Sequence, residues 1–145
     1  MATVRISVRN FQKKIPVRIK TIKKAIHNVF SYEGFSAAAN ITACVMSDKQ
    51  IKELNLFYAG RDESTDCLTF DLSKRNKSKE LIADIVISAD TAVRNSRLYN
   101  TTFAFELCLY AIHSTLHLLG YTDNTPALRN KMNKRALKIL GNVHT

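Results

Sequence analysis

Two histidines and an aspartate near the C-terminal end of the chain have the types and spacing of a metal site. His113 and His117 lie four residues apart in the run HSTLHLLGYTDN, and Asp123 follows six residues after the second histidine. Side chains at positions i and i+4 of an α-helix share one face, so both imidazoles could bind one ion. Gly120 predicts the helix end and a turn that returns Asp123 as a third ligand. Two imidazoles and one carboxylate, with a fourth position for water, indicate a catalytic rather than a structural zinc site.

Two other interpretations of the histidine pair stay open at this point. Histidines on a mostly apolar helix can be core residues that fall four apart by chance. A metallopeptidase would share the H-x-x-x-H spacing, but that chemistry usually places a glutamate directly after the first histidine. This chain has Ser114 at that position, which disfavours the peptidase interpretation.

The chain carries a strong excess of positive charge, with 22 Lys and Arg residues against 12 Asp and Glu residues and a net charge of +10. An excess of this size favours an anionic partner, and nucleic acid is the leading class. The cations concentrate in a long polar loop and on one face of the last helix: Lys74, Arg75, Lys77 and Lys79 in the loop, and Lys131, Lys134, Arg135 and Lys138 on the helix. We expect the loop cations to bind RNA phosphates without reading the base sequence.

Length and composition also limit the domain number and the compartment. At 145 residues the chain predicts one domain over residues 1–145. No run approaches the ~20 apolar residues of a membrane span, and the N-terminal run MATVRISVRNF alternates where a signal peptide would be continuously apolar. The chain has an odd number of cysteines, and they are widely spaced: Cys44, Cys67 and Cys108. This pattern indicates neither a disulfide framework nor a zinc ribbon. We therefore expect a cytoplasmic protein with reduced cysteines and no membrane contact.

The hydrophobic pattern predicts an α+β fold, a small mixed four-stranded sheet packed with about five helices, with the metal site at a helix end. Alternating or short apolar runs predict strands at TVRISVR, around residues 41–45, at CLTF and at LIADIVIS. Helical spacing and end signals predict a helix from residue 16 to residue 34 and one from a capping box of Ser47 and Gln50. Two more are predicted across TTFAFELCLYAIHSTLHLLG and TPALRNKMNKRALKILG.

Four sequence blocks resemble the YbeY endoribonuclease family. HSTLHLLGYTDN is similar to the family signature H-G-x-L-H-L-x-G-Y-D-H, and LNLFYAGRDESTDCLTF to L-N-x-x-Y-R-G-K-D-x-P-T-D-V-L-S-F. ADIVIS is similar to G-D-I-x-I-S, and Glu106 matches a glutamate upstream of the first histidine. The blocks occur in the family's order from about residue 54 to residue 121. This resemblance implies a metal-dependent, single-strand-specific endoribonuclease of ribosomal RNA maturation, with one Zn²⁺ per chain and RNA or the ribosome as partner.

Three features depart from the family pattern. The family's third metal ligand is a histidine, whereas this chain has Asp123 after Thr122, and the added negative charge makes a bound metal a weaker Lewis acid. The family's catalytic arginine is replaced by Ala59, and Arg61 stands two residues later in the loop YAGRD. Ser114 replaces a glycine, a neutral exchange of small residues. We predict that Arg61 supplies the catalytic cation. If it does not, the catalytic role is absent, and the alternative is a non-catalytic RNA- or ribosome-binding module that retains the fold.

Overall fold

The computed structural model describes residues 3–59, 67–73 and 79–141, except the side chains of residues 58 and 59. Within these residues the chain forms a mixed sheet of four strands together with five helices, which confirms the predicted α+β fold. In chain order the elements are β1 (Val4–Asn10), α1 (Ile19–Tyr32), β2 (Ala39–Met46), α2 (Asp48–Ala59), β3 (Cys67–Asp71), β4 (Leu81–Ser88), α3 (Ala89–Leu98), α4 (Phe103–Leu118) and α5 (Pro126–Leu140).

The four strands lie in the order β1-β2-β4-β3. β1 pairs with β2, and β2 with β4, in parallel, whereas β3 runs antiparallel to β4. Parallel neighbours need a crossover connection, and α1 provides it between β1 and β2. In β2 the apolar side chains of Ile41, Ala43 and Val45 are fully buried and alternate with more exposed neighbours. The alternation predicted for this strand is therefore confirmed.

α4 is the inner helix of the fold and contacts the elements around it on several sides. It packs on α1, α3 and α5 and on strands β3 and β4. On one side Leu107 joins the core that α1 and the sheet form. On another side Ile112 and Leu116 belong to a second core with α1 and α5, in which Met132 is buried. α4 therefore provides a fixed frame for the side chains near its C-terminal end.

Most of the predicted helix starts are confirmed by their capping contacts. The Gln50 N–H donates to Oγ of Ser47 at 3.2 Å, and the Ser47 N–H donates to Oε1 of Gln50 at 2.9 Å, which completes the capping box of α2. α5 begins at Pro126, as predicted, with Thr125 as its N-cap. α1 begins at Ile19 rather than at residue 16, because the backbone of residue 18 is still extended.

The hydrophobic pattern did not locate α3. Among the described residues of this helix only Ala89 and Ala92 are buried, and two alanines are too weak an apolar signal to reveal a helix. Its polar N-cap was the available signal, since the hydroxyl of Ser88 accepts a hydrogen bond from the Thr91 N–H at 3.0 Å.

The cysteines have the character of packing residues. Cys108 is buried in the core between α4 and α5, and this burial raises the pKa of its thiol to about 11. Burial, and next the charge of Asp84, also raise the pKa of Cys44. Both thiols are therefore protonated at neutral pH and unsuited to bind metal or attack a substrate. No helix in the described part of the chain has the length and apolar character required to cross a membrane.

Candidate functional site

α4 ends in a Schellman motif that turns the chain back toward its last turn. The Gly120 N–H donates to the carbonyl of His117 at 3.1 Å, and the Tyr121 N–H donates to the carbonyl of Leu116 at 3.1 Å. Gly120 has φ +106°, a backbone conformation that residues with a Cβ rarely adopt. The predicted helix end at Gly120 is therefore confirmed.

The ring of His117 is oriented by a backbone contact across this turn. Its Nδ1 lies 3.0 Å from the carbonyl oxygen of Tyr121. A carbonyl oxygen can only accept, so Nδ1 must be the protonated nitrogen that donates. In the neutral ring the lone pair is then on Nε2. Histidines that bind metals have this arrangement, with one nitrogen donating to a carbonyl or carboxylate and the other facing the ion.

Asp123 faces the open nitrogen of His117. Its Oδ2 lies 3.6 Å from Nε2, and the two side chains are 56% and 32% exposed respectively. This separation is longer than a hydrogen bond. Two ligands of a tetrahedral Zn²⁺ lie about 3.4 Å apart, given Zn–N and Zn–O bonds of about 2.0 to 2.2 Å. One imidazole nitrogen and one carboxylate oxygen at this spacing therefore fit a shared divalent ion that solvent can reach.

His113 lies one turn earlier on α4 and is half-buried. The next residue, Ser114, has a buried hydroxyl that makes no hydrogen bond within the described residues. Across residues 3–59, 67–73 and 79–141, no three His, Cys, Asp or Glu side chains come together as one metal-binding group. The structure thus pairs His117 with Asp123, and the three-ligand site of His113, His117 and Asp123 stays a prediction.

A second polar cluster, which sequence patterns did not reveal, adjoins the pair through Tyr121. The hydroxyl of Tyr121 donates to Oε1 of Glu33 at 2.7 Å. Arg135 of α5 donates to the same carboxylate through Nε at 3.1 Å and through Nη2 at 3.2 Å. Glu33 is separated from these partners by 88 and 102 residues in the sequence, so no local spacing connects them. Only the packing of α1, α4 and α5 brings them together.

The charges in this cluster fix its protonation states. Burial alone would raise the pKa of Glu33, but the hydrogen bonds from Arg135 and Tyr121 and the charges of Arg135 and Lys131 outweigh it and lower that pKa. The hydrogen bond to Glu33, followed by burial, raises the pKa of Tyr121. At neutral pH Glu33 is therefore a carboxylate and Tyr121 is a neutral phenol that donates to it.

The predicted cations are only partly within the described residues. Arg61, Lys74, Arg75 and Lys77 lie outside them, and Lys79 is exposed. On α5 the exposed members of the predicted stripe are Lys131, Lys134 and Lys138. Arg135 differs from them, because it is half-buried and its guanidinium is bound to Glu33. Arg135 and Lys138 both lie over the ring of Tyr32, 4.9 and 5.9 Å from its centroid. The stripe therefore combines three exposed lysines with one arginine that is committed to Glu33.

Two of the clefts that border Tyr121 also contain Glu33 or Arg135. The larger, of about 590 Å³, is lined by Glu33, Phe35, Ala37, Ser73, Lys79, Glu80, Leu81, Leu118, Leu119 and Tyr121. The smaller, of about 290 Å³, is lined by Tyr121, Lys131, Lys134, Arg135 and Lys138. Both contain lysines, so a polyanion lying along either cleft would pass beside the turn that carries the His117 and Asp123 pair.

Comparisons with known proteins agree with one another. A family model described as Endoribonuclease YbeY matches residues 7–144. Endoribonuclease YbeY of Moorella thermoacetica is 34% identical over 149 aligned positions, which cover 94% of this chain and 96% of that protein. The protein of the same name from Clostridioides difficile is 33% identical over 131 positions, covering 87% and 86%. The solution structure of TM1509 from Thermotoga maritima is similar with a TM-score of 0.62 and 25% identity, covering 94% of this chain and 89% of that one.

Proposed function

Because this chain belongs to the YbeY endoribonuclease family, we propose that it is a metal-dependent enzyme that cleaves single-stranded RNA during ribosomal RNA maturation. The observation that carries the proposal is the pair of His117 and Asp123, with Nε2 and Oδ2 3.6 Å apart at a solvent-accessible helix end. One Zn²⁺ per chain would be held by this pair together with His113. When bound, the ion would supply Lewis acidity and an activated water.

The residues of the chain have distinct parts in the proposed reaction. His117 presents Nε2 because Nδ1 is committed to the carbonyl of Tyr121. Asp123 adds a negative charge where the family pattern has a histidine, which lowers the electrophilicity of a bound ion while still helping to hold it. Hydrolysis of a phosphodiester builds negative charge on the phosphoryl oxygens, so a further cation is needed. We assign that role to Arg61, as the arginine nearest in sequence to Ala59.

RNA binding is proposed to use the cationic loop and the lysines beside Tyr121. Lys79 lines the larger cleft, and Lys74, Arg75 and Lys77 precede it in the same loop. Lys131 and Lys134 line the smaller cleft. Contacts of this kind bind the phosphate backbone without selecting a base sequence, so the target would be chosen by its single-stranded form or by the ribosome.

A non-catalytic RNA- or ribosome-binding module is the second candidate function. Two departures from the family pattern favour it, namely Ala59 in place of the arginine and Asp123 in place of the third histidine. The metallopeptidase alternative lacks the glutamate after the first histidine, where the buried Ser114 stands. Cleavage assays separate the three functions, because an endoribonuclease cuts RNA, a peptidase cuts protein and a binding module cuts neither.

The proposed function predicts chelator-sensitive cleavage of RNA. The purified protein should cut an unstructured RNA oligonucleotide, leave casein intact, lose activity with a chelator and regain it on addition of Zn²⁺. Elemental analysis of the protein should give close to one metal ion per chain. RNA binding without cleavage in any metal would favour the binding module, and chelator-sensitive digestion of casein would favour the peptidase.

RNA affinity is predicted to depend steeply on salt because it rests on phosphate contacts. The logarithm of affinity should fall linearly with the logarithm of salt concentration, by about 0.7 per neutralised phosphate of a single strand. Replacing Lys74, Arg75, Lys77 and Lys79 by serine should reduce that slope by up to about 2.8 when measured with chelator present to prevent cleavage. The matched control replaces the exposed cations Arg18, Lys20, Lys23 and Lys24 by serine. Equal slopes for the two variants would show that the loop cations do not make specific contacts with RNA phosphates.

A further inference from the structure

Glu33 is a fixed anchor where α1 ends. The helix closes in a Schellman motif in which the Gly34 N–H donates to Ser31 at 3.3 Å, with Gly34 at φ +62°. Arg135 grips the carboxylate with two nitrogens, an arrangement that fixes orientation as well as distance. Arg135 is itself held, because its Nη2 also donates to the carbonyl of Tyr32 at 3.3 Å. Backbone and side chain of Glu33 are thus both constrained.

Tyr121 transmits the position of this anchor to the candidate site. Its hydroxyl donates to Glu33 at 2.7 Å, and its backbone N–H donates to Leu116 at 3.1 Å. Its carbonyl accepts from Nδ1 of His117 at 3.0 Å. The direction of that carbonyl depends on how the whole residue is oriented. The ring packs against the second core, and its hydroxyl fixes the far end of the ring to Glu33.

We propose that Glu33 is a positioning residue, which through Tyr121 selects the Nδ1–H tautomer of His117 and directs Nε2 toward Asp123. The inference rests on the proposed function only in taking His117 as a site residue. Without the tether the carbonyl of Tyr121 would no longer be fixed against Nδ1, and the Nε2–H tautomer would gain population. In that tautomer a proton occupies the nitrogen that must present its lone pair to a metal.

A purely structural clamp between α1 and α5 would have a different signature. Breaking a clamp lowers stability, whereas a change in the tautomer of His117 in a variant that retains Asp123 reports movement of the Tyr121 carbonyl. The tautomer is read directly from the ¹⁵N shifts of the imidazole in the metal-free protein. The spectra should be recorded over a pH series and compared on the alkaline plateau, where the ¹⁵N shifts no longer change with pH.

The decisive variants are Tyr121→Phe, which removes only the tethering hydroxyl, and Glu33→Ala, which removes the anchor. We expect wild-type His117 to be mainly Nδ1–H and both variants to raise the Nε2–H fraction several-fold. Glu33→Gln should fall between them and the wild type, because its amide oxygen still accepts from Tyr121. Zn²⁺ affinity should fall about 10-fold in Tyr121→Phe, as is usual when a partner of a metal-binding histidine is lost.

Tyr110→Phe is the matched control, because it also removes a tyrosine hydroxyl with a 2.7 Å hydrogen bond, here accepted from the side-chain amide of Asn95 at the contact of α3 and α4. It should lower thermal stability and leave the tautomer of His117 unchanged. A wild-type tautomer ratio in folded Tyr121→Phe would overturn the proposal, even if Glu33→Ala failed to fold. The tautomer measurement needs neither metal nor RNA, so it tests the positioning role separately from the proposed function. If the variants shift the tautomer but the wild type cleaves no RNA, the positioning role is supported and the proposed function is refuted.

Discussion

His117→Ala is expected to lower the rate of RNA cleavage at least about 100-fold and to remove stoichiometric metal from the protein. The contacts of the candidate site converge on this imidazole, since Nδ1 binds the carbonyl of Tyr121 and Nε2 faces Asp123. A bound ion contributes several kcal/mol of transition-state stabilisation in hydrolases of this kind, and about 2.7 kcal/mol corresponds to a 100-fold rate. Cleavage of a labelled oligonucleotide and elemental analysis measure the two effects.

His27→Ala is the matched control for this substitution. His27 is an exposed helical histidine on α1, so its replacement removes the same side chain without touching the candidate site. The control should retain wild-type cleavage and metal content, and circular dichroism should show that both variants are folded. If His117→Ala cleaves RNA as fast as the wild type, the pair of His117 and Asp123 is not the active site.

Arg61→Ala is expected to produce the second large effect, a fall in kcat of about 100- to 1,000-fold. A loss of this size is usual when one group that stabilises developing charge is removed. Arg61→Lys keeps the charge but loses the planar fork that can bind two phosphate oxygens, so its kcat should lie between those of wild type and Arg61→Ala. Metal content should be unchanged in both variants, and RNA affinity should fall much less than turnover. Single-turnover cleavage and a binding assay with chelator distinguish these quantities.

Two comparisons make the Arg61 experiment specific. Arg97→Ala removes one exposed arginine from α3 and should leave cleavage unaltered. Ala59→Arg restores the residue of the family pattern. If Arg61→Ala cleaves like wild type while His117→Ala does not, the enzyme stands and the Arg61 assignment is wrong. A gain of turnover in Ala59→Arg would then show that the present loop lacks its catalytic cation.

Local sequence signals predicted the parts of the site that depend on one or two helical turns. The end of α4 at Gly120 follows from a residue that tolerates φ +106°, and the start of α2 follows from the reciprocal contacts of Ser47 and Gln50. The spacing of His113 and His117 likewise follows from helix geometry alone. Each of these features is decided by residues close together in the chain, so each could be predicted before any packing was known.

The Glu33 cluster could not be predicted, because tertiary packing decides it. Nothing in the local sequence distinguishes Glu33 from any other polar residue at a helix end. Its partners Tyr121 and Arg135 come from the turn after α4 and from α5. Arg135 illustrates the difference, since helical periodicity placed it among the cations on one face of the last helix, whereas packing commits it to Glu33. The contact of His117 with the Tyr121 carbonyl joins residues only four apart in the sequence, but the tether that we propose to orient Tyr121 reaches Glu33, 88 residues away.

Because α4 is buried on several sides, residues within the helix and residues in the turn after it differ in how well they tolerate substitution. The buried apolar side chains of α4 belong to the two cores, so an exchange among them disturbs the packing that holds the helix. Thr122 and Asp123 are exposed beyond the helix end, where substitutions usually change stability by no more than about 0.5 kcal/mol. Asp123 is the proposed third ligand, and both positions depart from the family signature. Single substitutions at this turn can therefore change the proposed ligand set at little cost in stability, whereas the helix that carries His117 is held by its packing.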